Sequence, residues 1–320
     1  IRNGHFTNLK MKKKIEVFTT LGPSSLNKKY LEFCNKNVDL LRLNMSHIEI
    51  TKLLKIIKFV KKYSKVPICI DTEGAQIRTK VDKEKFYLKG QKIFLRRDKN
   101  LYPKNVFSLL KKGDILDIGF KGLQIIIQKI EKKDTFLTKV IKSGKFENNK
   151  GVHVVNRKIR LNYLTEKDYL AIKIAKEQKI NHFALSFTNS VEDIDRFNNL
   201  LKNKVKIFKL ETRAALNAIS KILKKGKKFL IDRGDLSKEI SIEMIPVAQI
   251  KILKLGKRMN RKIYVATNFL ESMLENSYPS RGEINDIFST LRLNAKGLVL
   301  ASETAIGKHP IETVNLLKRI

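Results

Sequence analysis

Lys209 and Glu211 stand two residues apart at the end of an apolar stretch, V-K-I-F-K-L-E at 205–211. Strand side chains alternate, so Val205, Ile207, Lys209 and Glu211 share one face while Phe208 and Leu210 take the other. A cation and an anion aimed at an interior are costly to desolvate unless they hold something, such as a metal ion or an anionic substrate. The alternative is an exposed edge strand whose charges are solvated. Arg233-Gly234-Asp235 closes the next apolar run. Glu211 and Asp235 offer hard oxygen ligands, few in number, which suits Mg²⁺ held partly by substrate and water. Lys209 beside them supplies a point charge for a transferring phosphoryl group, a reaction that needs positioning and charge neutralisation more than covalent help. A structural ion-pair network is the plainer reading of the same three residues.

Other strand ends carry weaker signals. Gly234 lets backbone approach a ligand closely, and the N–H groups after it could receive a carboxylate or phosphate at a helix start, although an ordinary strand-to-helix turn would look the same. Thr267 closes a later apolar run and says little alone. Asn44, Ser46, Asp71 and Thr72 bring oxygens from neighbouring strands, either to a hard cation or to cap two turns. His47 and His153 lack metal-ligand spacing. No GxxxxGK[ST], GxGxxG or HExxH occurs, which disfavours a P-loop, a dinucleotide fold and a zincin.

The elements that must position these residues are legible as alternating patterns. Apolar, β-branched runs at 15–19, 39–44, 67–71, 182–187, 205–210, 228–232, 263–267 and 297–301 alternate with amphipathic patterns at 26–35, 48–63, 166–178, 191–201, 213–224, 243–260, 283–293 and 310–320. Eight such pairs predict an α/β protein with a (β/α)₈, or TIM, barrel. The alternation breaks between about Thr79 and Arg157, where Gly90, Gly113, Gly119, Gly122 and Gly144 punctuate short strand-like pieces. This predicts a small all-β domain at 81–156, inserted after the third barrel strand, with the barrel at 11–80 and 157–320. Barrel enzymes place their chemistry at the C-terminal strand ends, where Arg42, Asn44, Ser46, Asp71, Thr72, Ser186, Lys209, Glu211, Arg233, Gly234, Asp235, Thr267, Ser302 and Glu303 all fall.

Composition narrows the class. The 320 residues are 42% hydrophobic, enough for a real core. Lys+Arg number 67 against 31 Asp+Glu, a formal charge of +36. These cations are scattered over the helical patterns without interleaved aromatics, so a nucleic-acid stripe is disfavoured. Cys34 and Cys69 have neither CxxC nor histidine company, which fits a reducing cytoplasm better than a disulfide framework. No apolar run reaches bilayer-spanning length. Met11 followed by three lysines resembles a natural start, with 1–10 read as an extension.

The ordered motifs resemble the pyruvate kinase family from about residue 13 onward. They are T-T-L-G-P-S-S at 19–25, L-R-L-N-M-S-H at 41–47, D-T-E-G-A-Q-I-R at 71–78, K-G-V at 150–152, L-T-E-K-D at 164–168 and A-L-S-F at 184–187. K-L-E follows at 209–211, R-G-D-L at 233–236, A-T-N-F-L-E-S-M at 266–273, P-S-R-G-E at 279–283 and S-E-T-A-I-G-K-H-P at 302–310. The resemblance implies a barrel with a β lid and phosphoryl transfer from phosphoenolpyruvate to ADP, giving pyruvate and ATP, with Mg²⁺ or Mn²⁺ and usually K⁺. It implies that Lys209 stabilises the transferring group, that Glu211 and Asp235 hold Mg²⁺, and that Gly234 and Thr267 hold the pyruvate moiety. Arg42 would contact phosphate, and Asn44, Ser46, Asp71 and Thr72 would bind K⁺. Asn44, His47, Arg78 and Lys150 would serve the nucleotide. A homo-oligomer in the cytoplasm is the corresponding expectation.

Departures from the family pattern are specific. Glu73, Ala75 and Gln76 replace the usual lysine, proline and glutamate, and Gln76 bears on K⁺ dependence. Asp232 stands where a small residue normally precedes Arg-Gly-Asp, Ser237-Lys238 replaces Gly-Val, and Leu293-Asn294 has lost the usual Asp-Gly. Family members continue for about another domain, so effector control of the usual kind is expected to be absent. Three functions stay open on the sequence: a competent pyruvate kinase-like phosphotransferase, a binding or regulatory paralogue, and the same chemistry on another acceptor or keto acid.

Overall fold

The computed structural model describes residues 15–97, 99–119, 122–132, 134–157 and 159–320. The expected start at Met11, the extension at 1–10 and the first residues of the family resemblance lie outside them. Two compact units are present, one made by the described residues up to Glu73 together with Glu166–Ile320, the other by Gly74–Thr165.

The first unit is a closed barrel of eight parallel strands. In chain order they are β1 (Glu16–Thr20), β2 (Leu40–Asn44), β3 (Ile68–Asp71), β4 (His182–Leu185), β5 (Val205–Leu210), β6 (Lys228–Asp232), β7 (Lys262–Ala266) and β8 (Gly297–Leu300). Each pairs with its sequence neighbour, and β8 closes on β1 with Glu16 opposite Gly297. Closure demands that glycine, because a Cβ there would lie 2.0 Å from the Glu16 carbonyl oxygen. The expected strand ends shift where the chain must turn: β4 stops at Leu185 and β7 at Ala266, since Phe187 (φ 51°) and Thr267 (φ 73°) leave the extended region.

Period two sorts every strand into an inner and an outer face. Phe18, Leu40, Cys69, Ala184, Ile207, Leu230, Tyr264 and Val299, one from each strand, pack as a buried layer. Phe208, on the other face of β5, meets the rings of Phe197 and Phe229 at 6.1 and 5.8 Å. Helix Ile50–Tyr63 shows the matching logic, burying Leu53, Ile57 and Val60 on one stripe. Burying each such side chain contributes about 1.5–3 kcal/mol. Helix starts follow the capping chemistry: Ser190 with Asp193 and Ser280 with Glu283 form complete capping boxes.

Helices differ from the sequence reading in several places, three of them beside the barrel's strand ends or in its helical layer. The pattern at 213–224 is two helices, Arg213–Asn217 and Ile219–Lys225, broken at Ala218 so that Ile219, Ile222 and Leu223 turn into the interior. Short helices Arg233–Glu239 and Ser302–Ala305 begin directly at the ends of β6 and β8, too brief to give a periodic signal.

The second unit is built on a seven-stranded antiparallel sheet with strand Ile115–Ile118 at its centre, paired with the first strand of the hairpin of Leu123–Lys132 and Thr135–Lys142. Its own core includes Leu95, Leu116, Leu123, Ile125 and Phe136, with Phe107 stacked on Phe136 at 4.9 Å. Among the described residues, no helix is long and apolar enough to cross a membrane.

Candidate active site at the carboxyl ends of the strands

Above the apolar layer, the inward positions become polar on adjacent strands. Thr20, Arg42, Asp71, Ser186, Lys209 and Asp232 are all buried there, and Glu211 follows on the same face of β5. Lys209 is 3% exposed and Glu211 is fully buried, so the solvated-edge alternative for this strand is excluded. The lysine ammonium lies 2.9 Å from Glu211, 3.2 Å from Asp232 and 3.7 Å from Asp71, and it donates to Ser186 Oγ at 3.2 Å. Burial by itself disfavours the charge on Lys209, but Asp71, Glu211 and Asp232 more than offset it and hold the ammonium charged well above the usual lysine range.

Arg42 reaches inward from β2. Its Nε donates to Asp71 Oδ2 at 2.7 Å and its Nη1 to Thr20 Oγ1 at 2.9 Å. Asp71 Oδ1 accepts from Ser186 Oγ at 3.2 Å, so one serine links the arginine pair to the lysine. The guanidinium is thus fixed in orientation rather than left to swing, the condition for directed contact with an anion.

Glu211, Asp232 and Asp235 each present an oxygen within 4.8 Å of the others, the group among the described residues able to hold a metal ion. Glu211 Oε1 accepts the Phe187 N–H at 2.6 Å. Its Oε2 lies near the Lys209 ammonium, yet no hydrogen-bond donor is aligned with it. Burial first, then Asp235 and Asp232, push the Glu211 carboxyl up against the pull of Lys209. A buried carboxylate oxygen without an aligned donor, beside two further acids, fits a small hard cation.

Gly234 and Thr267 meet across β6 and β7. The Gly234 N–H donates to Thr267 Oγ1 at 2.8 Å, and that hydroxyl donates to the Ala266 carbonyl at 2.6 Å. The Gly234 N–H itself is therefore taken by Thr267. A Cβ at Gly234 would face Asp232 Oδ1 and the Thr267 side chain at 3.5 Å, so the glycine keeps that wall of the site open. Positive φ on a β-branched residue is a strained state that persists only where its surroundings impose it. Arg233 imposes it here, donating from Nε and Nη2 to the Thr267 carbonyl, from Nη1 to Asp286, and stacking 4.1 Å over the Phe269 ring.

The four residues expected to bind K⁺ are neighbours, with Asn44 opposite Asp71 in the β2–β3 register. Three of them already use side-chain oxygens as acceptors: Asn44 Oδ1 accepts from the Ser46 N–H, Thr72 Oγ1 from the Ser186 N–H, and Asp71 from Arg42 and Ser186. This set fits a monovalent cation less well than the Glu211 group fits a divalent one. Glu73, the reversed charge in the third-strand motif, is buried 3.2 Å from Lys167, and its N–H donates to Asp168. His47 is exposed. In the second unit, Arg78 sits opposite Gly151 on paired strands, next to Lys150, whose ammonium lies 3.6 Å from Glu147.

Two site residues had no role assigned from sequence. Ser186 was visible only as a polar strand end, and Asp232 only as a departure from a motif. Period two along each strand puts Ser186 on the face of the core residue Ala184 and Asp232 on that of Leu230, which would have placed both inward.

A parallel eight-stranded barrel with a buried lysine, arginine and carboxylates at its carboxyl ends defines the class as a (β/α)₈ barrel with its polar site where barrel enzymes carry theirs. Residues 12–314 match the family described as pyruvate kinase, barrel domain. Proteins named pyruvate kinase are similar along almost the whole chain. That of Thermotoga maritima is 33% identical over 95% of this chain and 70% of its own length. That of Methanocaldococcus jannaschii is 30% identical over 97% and 69%, and that of Thermoplasma acidophilum 29% identical over 96% and 57%. The chain belongs to the pyruvate kinase family.

Proposed function

We propose that this protein transfers a phosphoryl group from phosphoenolpyruvate to ADP, giving pyruvate and ATP. The observation that carries this reading is Lys209, a charged ammonium held inside a barrel mouth by three carboxylates and a serine. A charged ammonium fixed in this way is suited to neutralise charge on a phosphoryl group in flight. Glu211 and Asp235 would hold Mg²⁺ or Mn²⁺, which when bound supplies charge neutralisation and orientation of phosphate oxygens. K⁺ at Asn44, Ser46, Asp71 and Thr72 is the weaker half of the metal proposal.

The chain's own residues have distinct tasks in this reading. Arg42, locked by Asp71 and Thr20, orients the phosphate end of the substrate. Gly234 leaves room for the carboxylate end, and the Thr267 hydroxyl borders the face on which the enol carbon takes up its proton. Arg78 and Lys150 present two cations for the nucleotide phosphates. A coupled assay with phosphoenolpyruvate, ADP and Mg²⁺, with and without K⁺, tests the proposal. ATP formation by the wild type and its loss in Lys209→Met are expected; purified, folded wild type that makes none refutes it.

A second reading is favoured by one observation, the Asp232 carboxylate 3.2 Å from Lys209. An added anion there weakens the pull on a phosphorylated substrate, as in a regulatory paralogue that binds without turnover. Thermal stabilisation by phosphoenolpyruvate with Mg²⁺, and no ATP, would select it. Turnover confined to another acceptor or keto acid in a substrate panel would select the third.

A further inference from the structure

Asp232 ends β6 on the inward face, two residues beyond the core residue Leu230, and is 5% exposed. One of its oxygens lies 3.2 Å from Lys209, and it contributes one corner of the three-oxygen group with Glu211 and Asp235. The corners are unequal. Glu211 is fully buried, with an oxygen that no donor is aligned to satisfy. Asp235 is at the rim, 21% exposed at its side chain, and one of its oxygens is already 2.7 Å from Lys238. Asp232 therefore provides the second buried carboxylate, while Asp235 is shared with a competing cation.

The charges gathered here favour a cation as occupant. Arg42 from β2, Lys209 from β5 and Lys238 from the short helix face Asp71, Glu211, Asp232 and Asp235. Around Lys209 the buried carboxylates of Glu211, Asp232 and Asp71 lie at 2.9, 3.2 and 3.7 Å, so three acids share the one ammonium. Buried anions without a full set of partners are costly, and a hard divalent cation resolves that cost directly.

We propose that Asp232 is a third carboxylate ligand of a divalent cation held between the ends of β5 and β6, with Glu211 and Asp235. The proposal rests on the reading that Glu211 and Asp235 hold such an ion, and not on turnover. A third anionic oxygen increases affinity for the free ion in the absence of substrate, and it selects ions that accept several carboxylates, Mn²⁺ over Mg²⁺ with its reluctant dehydration.

MnCl₂ titration of the full chain without substrate, followed by electron paramagnetic resonance, tests this. Asp232→Asn, which keeps the side-chain shape, is expected to weaken Mn²⁺ binding at least tenfold, on the order of a lost coordinating contact. Asp232→Ala is expected to add one exchangeable water to the bound ion, read from water-proton relaxation, with circular dichroism showing the fold intact. Unchanged affinity in Asp232→Asn, while Glu211→Gln loses Mn²⁺, overturns the proposal and leaves the two-ligand site standing. Weakened affinity with no added water in Asp232→Ala also overturns it, because Asp232 would then act only through space. Wild type that binds no Mn²⁺ removes both proposal and site, whereas Mn²⁺ binding without ATP formation removes only the proposed reaction.

Discussion

Replacing Lys209 by methionine should unbalance the barrel mouth as a structure, quite apart from any effect on turnover. The ammonium is the cation nearest to both Glu211, at 2.9 Å, and Asp232, at 3.2 Å. Arg42 cannot take its place, since its guanidinium is already committed to Asp71 and Thr20. Methionine fills the same volume but leaves two buried acids without their counter-ion. Breaking a buried pair in this way costs about 3–5 kcal/mol, which lowers the melting temperature by roughly 6–20 °C for a unit of this size. The sign of the pH dependence follows from Asp232. Its folded pKa is depressed, so its contribution is present above the ordinary aspartate value of about 3.9 and is lost as pH falls through the depressed one. The gap between wild type and Lys209→Met should therefore be widest near neutral pH and close in acid, where the stranded carboxylates accept protons. Adding Asp232→Asn to Lys209→Met should recover about 1–3 kcal/mol, because the two sites are in contact. Differential scanning calorimetry across pH reads all three effects. A Lys209→Met protein that melts within a degree of wild type at pH 7, or a double variant no more stable than the single one, would refute this account of the site.

Thr267 and Lys238 give two further checks. Thr267→Ala removes the hydroxyl that bridges the Gly234 N–H and the Ala266 carbonyl, and a half-buried donor left without it costs at most about 1–3 kcal/mol; Thr267→Ser should melt close to wild type, and thermal denaturation of the pair decides between a hydrogen-bonding role and a purely steric one. Lys238→Met releases the Asp235 oxygen held at 2.7 Å, and since exposed pairs contribute about 0–1 kcal/mol, Mn²⁺ affinity should rise by up to about fivefold in the same titration, with a fall counting against competition at the rim.

The sequence exposed what is local. Alternation of apolar runs with amphipathic ones marked eight strand and helix pairs, because burial on an inner and outer face writes periods of two and 3.6 into the residues themselves. Lys209 and Glu211 were on one strand face for the same reason, and Glu166, Val191 and Pro310 were correctly placed at helix starts. Boundaries governed by tertiary contacts were not visible. Thr267 looks like a good strand residue, and it leaves the strand because Arg233, Gly234 and Ala266 hold it elsewhere. The helix at Arg233–Glu239 is too short for its own periodicity, and the break at Ala218 follows from what Ile219 and Ile222 must bury.

Partners distant in the chain were equally out of reach. Glu73 carries an unexpected charge, and nothing near it in sequence shows that Lys167 meets it at 3.2 Å. Asp232 was an oddity in a motif until the barrel set it against Lys209 and Glu211. The sequence alone determined which residues face inward and which family this chain belongs with, since both are carried by residue order. Only the closed barrel decided that the edge-strand alternative fails and that three carboxylates surround one lysine. Those facts depend on strands brought side by side across long stretches of chain, where charge balance is settled by distance in space.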